Sequence, residues 1–270
     1  MTSTKPRSIR RSRLVVGGLA VLAVALTACG STTSTSTTTT KANLGGSITV
    51  SAASSLTAVF TQLGTTFEAA HPETTVAFNF GSSGSLATQI QQEAPADVFA
   101  SASPGDMKTV QTSGDIEGAP VIFARNSLEI VVKPGNPLGI RSLADLTKAN
   151  VVAICVASAP CGATAEQALK KAHVTVPTAK VTLGQDVDTT LSEVTTGDAE
   201  AAIVYVTNAK SVGAQGEGGP IPSSLNVTTS YPIAVVRSTK NKPLAQAWIA
   251  FVLSPTAQKV LRRASFLPPS

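Results

Sequence analysis

The 270-residue chain carries 21 basic and 16 acidic residues, a formal net charge of +5. Five of the basic residues, Lys5, Arg7, Arg10, Arg11 and Arg13, lie in the first 13 positions, so the remainder is formally neutral, sixteen against sixteen. That balance excludes a nucleic-acid binder, which needs a concentrated basic surface. A C-x5-C pair without a nearby histidine is equally poor material for a zinc site.

In chain order, the basic cluster precedes an uncharged run at 14–28 and small residues before Cys29, the pattern of an export signal over 1–28. About 15 apolar residues fall short of the roughly 20 that span a bilayer, which argues against an uncleaved anchor. Cys29 directly follows Leu26, Thr27 and Ala28, a junction that resembles the bacterial lipobox. The resemblance implies that Cys29 is lipidated and that the mature protein hangs from the outer face of the cell membrane. Residues 29–45 are rich in Ser and Thr, with four threonines in a row at 37–40, and read as a flexible tether. About 220 residues remain, enough for one large or two modest α/β domains.

The folded part opens with a strand at 46–51, a small polar loop at 52–55 and a helix at 56–70 that puts Leu56, Val59, Phe60, Leu63 and Phe67 on one face. A second unit repeats the plan: strand 75–80, turn 81–84, helix 85–92, then a short strand at 96–100. The extended run 128–133 reads as a crossing into a second domain. That domain holds strands 151–156, 180–183 and 201–205, helices 163–172 and 187–196, and a Gly-rich loop at 213–222. Residues 232–237 read as the return crossing, and 244–262 as one long amphipathic helix. Alternating strands and helices predict mostly parallel sheets. The two crossings predict a two-lobed protein with lobe 1 at 46–125, lobe 2 at 126–232 and a return to lobe 1 at 233–270, joined by a two-strand hinge that closes on a ligand.

In the oxidising compartment that export implies, Cys155 and Cys161 can form a disulfide around a short loop, the other reading being two free buried thiols.

Ligands of parallel α/β sheets bind beyond the carboxyl ends of the strands, where helix N-termini offer unpaired N–H groups. Here those turns carry Ser54, Ser55, Ser82 and Ser83. A helix N-terminus holds an anion without a cationic side chain, and hydroxyls add donors; the bland reading makes these serines ordinary N-caps. Tyr205, at the end of a buried strand, reads on its own as a half-buried core aromatic with a surface hydroxyl.

Five segments carry a resemblance that runs through the folded part: ITVSAASSLTAVF (48–60), FGSSGSLATQIQQEAPADVFASAS (80–103), PCGATAEQAL (160–169), QDVDTTLSEVTTGDAEAAIVY (185–205) and SPTAQKVLRRASF (254–266). They resemble the periplasmic molybdate-binding proteins, the capture subunits of ATP-binding-cassette importers, which have a type II periplasmic-binding-protein fold. The resemblance implies a molybdate or tungstate ligand, no cofactor, and a permease and an ATPase as partners of a monomeric binder. It assigns ligand contacts to the hydroxyls of Ser55, Ser83 and Tyr205 and to the backbone N–H groups at Cys161 and Val187. Relatives often have a small residue such as alanine at the position of Cys161. Asp97 and Asp186 read as lying near these loops without touching the ligand, and any metal is bound only as the oxyanion.

The alternatives are another tetrahedral oxyanion, such as sulfate, or a serine hydrolase. Residues 81–85 read GSSGS and fail G-x-S-x-G at its last position. His71 and His173, the only histidines, end helices and supply no general base. An iron site would need more than Tyr205 and Tyr231.

Overall fold

The computed structural model describes residues 44–269. The signal segment, Cys29 and the tether as far as residue 43 lie outside the described residues. Among the described residues no helix is long and apolar enough to cross a membrane.

Two βα units build the first half. Strand β1 (Gly46–Ala53) buries Ile48, Val50 and Ala52, and one turn of 3-10 helix (Ser54–Leu56) leads into α1 (Thr57–Ala70). Strand β2 (Thr74–Gly81) lies parallel to β1 and feeds α2 (Ser83–Gln91); β3 (Val98–Ala100) lies parallel on the other side of β1. Helix α2 starts two residues earlier than its apolar spacing indicated, because Ser83 and Gly84 already form its first turn. Helix α3 (Pro104–Thr112) has no counterpart in the sequence reading. Ser103 caps it by accepting from the N–H groups of Gly105 and Asp106, and Pro104 occupies the first turn, where its missing N–H costs nothing.

The extended run at 128–133 is the end of a far longer strand, β4 (Ile116–Val132). The second half adds β5 (Val152–Cys155), α4 (Pro160–Lys171), β6 (Val181–Gly184), α5 (Val187–Thr195), β7 (Ala201–Tyr205) and α6 (Val206–Ser211). The Gly-rich stretch is not all loop: β8 (Glu217–Pro220) pairs antiparallel with β4, and the missing side chain at Gly218 leaves room for the Glu129 carboxylate. Strand β9 (Thr228–Val236) then returns along β4 into the first half. The strand order is β2-β1-β3-β9-β4-β7-β5-β6, with β8 beside β4. Pairs within each βα array are parallel, whereas β9 and β4 join the sheet antiparallel.

The single helix expected at 244–262 is two, α7 (Lys242–Leu253) and α8 (Pro255–Arg263). Pro255 forces Ser254 into an extended conformation, with ψ 154°, and Ser254 caps α8 by accepting from Ala257 N–H. Each half has its own core. Trp248 centres the first, packed edge-on against Phe60 at 5.6 Å and Phe67 at 5.5 Å. The second gathers Leu128, Ile130, Val152, Ile203 and Val204 around α4 and α5.

Candidate functional site

The carboxyl ends of β1, β2, β3, β6 and β7 and the start of α4 meet at one small, nearly filled cavity of about 10 Å³. Ala53, Ser54, Ser55, Gly81, Ser82, Ser83 and Ala102 line it from the first half. Pro160, Cys161, Asp186, Val187 and Tyr205 line it from the second. Ser55, Ser83, Cys161, Val187 and Tyr205 are therefore brought to one place from five separate segments. Neither histidine lines it, nor does any lysine or arginine among the described residues. Asp97 sits elsewhere, at the amino end of β3, where it accepts from Thr49 N–H at 2.7 Å. Its loop position was misjudged because β3 runs away from it toward the cavity.

The serines are not caps. No side chain caps the 3-10 turn, α1, α2 or α4, so the first-turn N–H groups of α2 and α4 keep the lack of partners that helix geometry imposes. Asp186 does cap α5, accepting from Thr189 N–H at 2.9 Å, which leaves the Val187 N–H at the helix start. Ser83 is fully buried and its Oγ accepts from Ala102 N–H at 2.9 Å, so its own proton is not consumed by that bond.

Tyr205 departs most from its bland reading. It is 1 % exposed, and its hydroxyl is a buried polar atom without a hydrogen-bond partner. The neighbouring Thr164 hydroxyl donates to Pro160 O at 2.6 Å and completes no bond with it. Burial holds the Tyr205 phenol well above its usual pKa, so it stays a neutral O–H. Burying such a group unpaired costs about 1–3 kcal/mol. A cavity that lodges an acceptor beside it recovers that loss.

Cys155 and Cys161 are joined by a disulfide with a Cα–Cα distance of 5.8 Å, tying the end of β5 to the first turn of α4. Gly162 follows because a Cβ there would meet Val156 O at 2.1 Å.

Three residues that the sequence reading did not place lie behind or beside the residues that line this cavity. Tyr231 on β9 is hydrogen-bonded to Ser55 Oγ at 2.8 Å, and Asn126 on β4 donates to Tyr231 Oη at 3.3 Å. Asp188 on α5 accepts from Asn208 Nδ2 at 2.7 Å and lies 3.2 Å from Thr57 Oγ1, reaching from one half to the other. Burial, and then the charge of Asp186, push the Asp188 pKa up to about 6. No local pattern marks Asn126 or Tyr231, because β4–β9 pairing carries both to the site; an acid one position inside α5 was the only available hint for Asp188.

The arrangement can hold a small anion through hydroxyl and amide donors from both halves, and is too small for a large organic ligand. Among the described residues no cluster of His, Cys, Asp or Glu could ligate a metal ion.

The family described as "Bacterial extracellular solute-binding protein" matches residues 48–267. The chain is 37% identical to the molybdate-binding protein ModA of Mycobacterium tuberculosis over 251 residues, 93% of this chain and 95% of that protein. It is 31% identical over 225 residues to a putative ABC transporter substrate-binding lipoprotein, YvgL, of Bacillus subtilis, covering 81% of this chain and 85% of that one. The periplasmic molybdate-binding protein of Azotobacter vinelandii superposes with a TM-score of 0.73 at 20% identity, over 83% of this chain and 100% of that one. The chain belongs to the bacterial extracellular solute-binding protein family and has the fold of its type II periplasmic members.

Proposed function

We propose that this extracytoplasmic protein captures molybdate, and tungstate with it, in the cavity between its halves and delivers it to the permease and ATPase of an ATP-binding-cassette importer. The observation that carries the reading is the unpartnered Tyr205 hydroxyl facing a set of serine hydroxyls and helix N-termini with no cation among them. Molybdate is a deprotonated tetrahedral dianion that only accepts hydrogen bonds, so a cage of donors suits it. Each charge-assisted bond contributes roughly 1.5–3 kcal/mol; about five, from Ser55, Ser83, Tyr205 and the N–H groups of Cys161 and Val187, offset the large cost of dehydrating the ion. The relatives' name for their ligand supports the same choice.

Because the donors come from both halves, the ion stabilises the closed arrangement selectively, which is the difference a permease reads. In this reading β4 and β9 are the hinge, the halves divide near residues 125 and 232, and the protein works as a monomer without a catalytic step. The signal segment directs export and a lipid on Cys29 holds the mature protein at the outer face of the membrane, in keeping with a relative named as a lipoprotein. Sulfate is the competing ligand, being a smaller ion of the same shape and charge. Titration calorimetry with molybdate, tungstate, sulfate and phosphate in parallel tests the proposal. Molybdate and tungstate bind tightest; a preference for sulfate, or no heat with any of the four, rejects it. Mass spectrometry of the mature N-terminus tests the lipid.

A further inference from the structure

A serine hydroxyl has one proton and can point it either way, so a cage of hydroxyls is a donor cage only if something sets their direction. For Ser55 the surrounding hydrogen bonds do so. Asn126 is fully buried where β4 passes from one half to the other. Its Oδ1 accepts from the backbone N–H of Ser127 at 3.0 Å, a donor that cannot be reversed, which turns its Nδ2 toward Thr207 Oγ1 at 2.9 Å and Tyr231 Oη at 3.3 Å. The far branch agrees in direction. Asn208 Nδ2 donates to Asp188 Oδ1, so Asn208 Oδ1 is left to accept from Thr207 at 3.4 Å, and Thr207 in turn is left to accept from Asn126.

Tyr231 Oη thus accepts a hydrogen bond from Asn126. Either member of its 2.8 Å contact with Ser55 Oγ could donate, but among the described residues Ser55 is the only acceptor within reach of the phenol proton, which favours donation from Tyr231 to Ser55. Burial keeps this phenol protonated, raising its pKa above the usual value. Ser55 Oγ, accepting from Tyr231, has its single proton free for the cavity it lines.

Resting on the molybdate reading, we infer that Asn126 and Tyr231 are positioning residues that set a one-way relay, amide to phenol to serine, whose last proton points at the ligand. Each bond polarises the next, which strengthens the final donor. The consequence is selectivity: an oxyanion that keeps a proton, such as hydrogen phosphate, finds at Ser55 a donor where its own O–H needs an acceptor, whereas a deprotonated dianion is fully matched.

The test is a double-mutant cycle with Tyr231→Phe and Ser55→Ala, read by competition calorimetry as molybdate affinity and as the molybdate-to-phosphate affinity ratio. Tyr231→Phe is expected to weaken molybdate about tenfold and to lower the ratio, and to do neither when Ser55 is already alanine. Independent, additive losses, or an unchanged ratio in Tyr231→Phe, overturn the relay and indicate a packing role. Neutron diffraction of the deuterated, ligand-free protein provides an arm that does not depend on the ligand or on how the variants fold. A deuteron bonded to Tyr231 Oη and directed at Ser55 Oγ supports the relay; one bonded to Ser55 and directed at Tyr231 overturns it. Failure of the wild type to bind molybdate, with the deuteron on Tyr231, rejects the ligand and not the proton direction.

Discussion

Gly84 of α2 and Ser158 in the loop before α4 face each other across the two halves so closely that a Cβ on Gly84 would stand 2.7 Å from the Ser158 carbonyl oxygen. The obstacle is backbone, which cannot swing aside as a side chain could. Gly84→Ala therefore wedges the halves apart while leaving each core intact, and overpacking of this kind costs about 1–3 kcal/mol. We expect molybdate affinity to fall by roughly 10- to 100-fold on the same basis. Small-angle scattering with ligand present should find the variant more extended than the wild type; identical curves and affinities would show that closure does not bring these two residues together.

Tyr205→Phe should separate stability from binding. No protein group among the described residues pairs with the hydroxyl, so removing it relieves an unsatisfied buried group and raises the melting temperature measured without ligand, while weakening molybdate by about 1–3 kcal/mol. Thermal melts with and without ligand check both signs. A lower melting temperature in the free variant would contradict the account given of this hydroxyl.

Ser83→Ala should behave differently, because Ser83 Oγ also accepts from Ala102 N–H. The variant loses a ligand donor and strands a buried amide, so affinity and free-protein stability fall together, each by about 1–3 kcal/mol. Urea denaturation beside calorimetry distinguishes this from the Tyr205 pattern.

Asp188 supplies a pH dependence. Its folded-state pKa of about 6 lies above the ordinary 3.8, so the native state holds a proton that the unfolded chain releases between about pH 4 and 6. Stability from this group is thus complete below about pH 4 and is lost as pH rises through 6. Asp188→Asn keeps the shape and removes the charge. It should stabilise the protein at pH 7.5 by about 1–2 kcal/mol, allowing for partial solvent screening, with no gain at pH 4. Urea midpoints across that range decide it, and an equal gain at both ends would assign the effect to packing.

Local signals accounted for much of the fold. The spacing of Val59, Phe60, Leu63 and Phe67 located α1, and strand 201–205 coincides with β7. The break at Pro255 and the cap-and-proline start of α3 were also written in the chain, but apolar periodicity overrode the first and nothing apolar drew attention to the second. The reach of β4 was not legible, since its exposed first part, with Glu117, Gly118 and Ala119, has no core-facing alternation. At the site, Ser55 and Ser83 follow from strand-end chemistry and the other three positions from resemblance. Tyr231 and Asn126 could not be found this way, because pairing between strands about a hundred residues apart joins them.

The late position of β9 bears on how the chain comes to be folded at all. This strand lies between β3 and β4 in the sheet, and Trp248 and Leu261 of the following helices complete the first core, so the amino-terminal array stays open-edged until nearly the whole polypeptide has emerged. Distant pairing of this sort makes for slow assembly. Slow closure of this kind suits a family that works outside the cell, since a chain whose sheet closes late stays open longer for export.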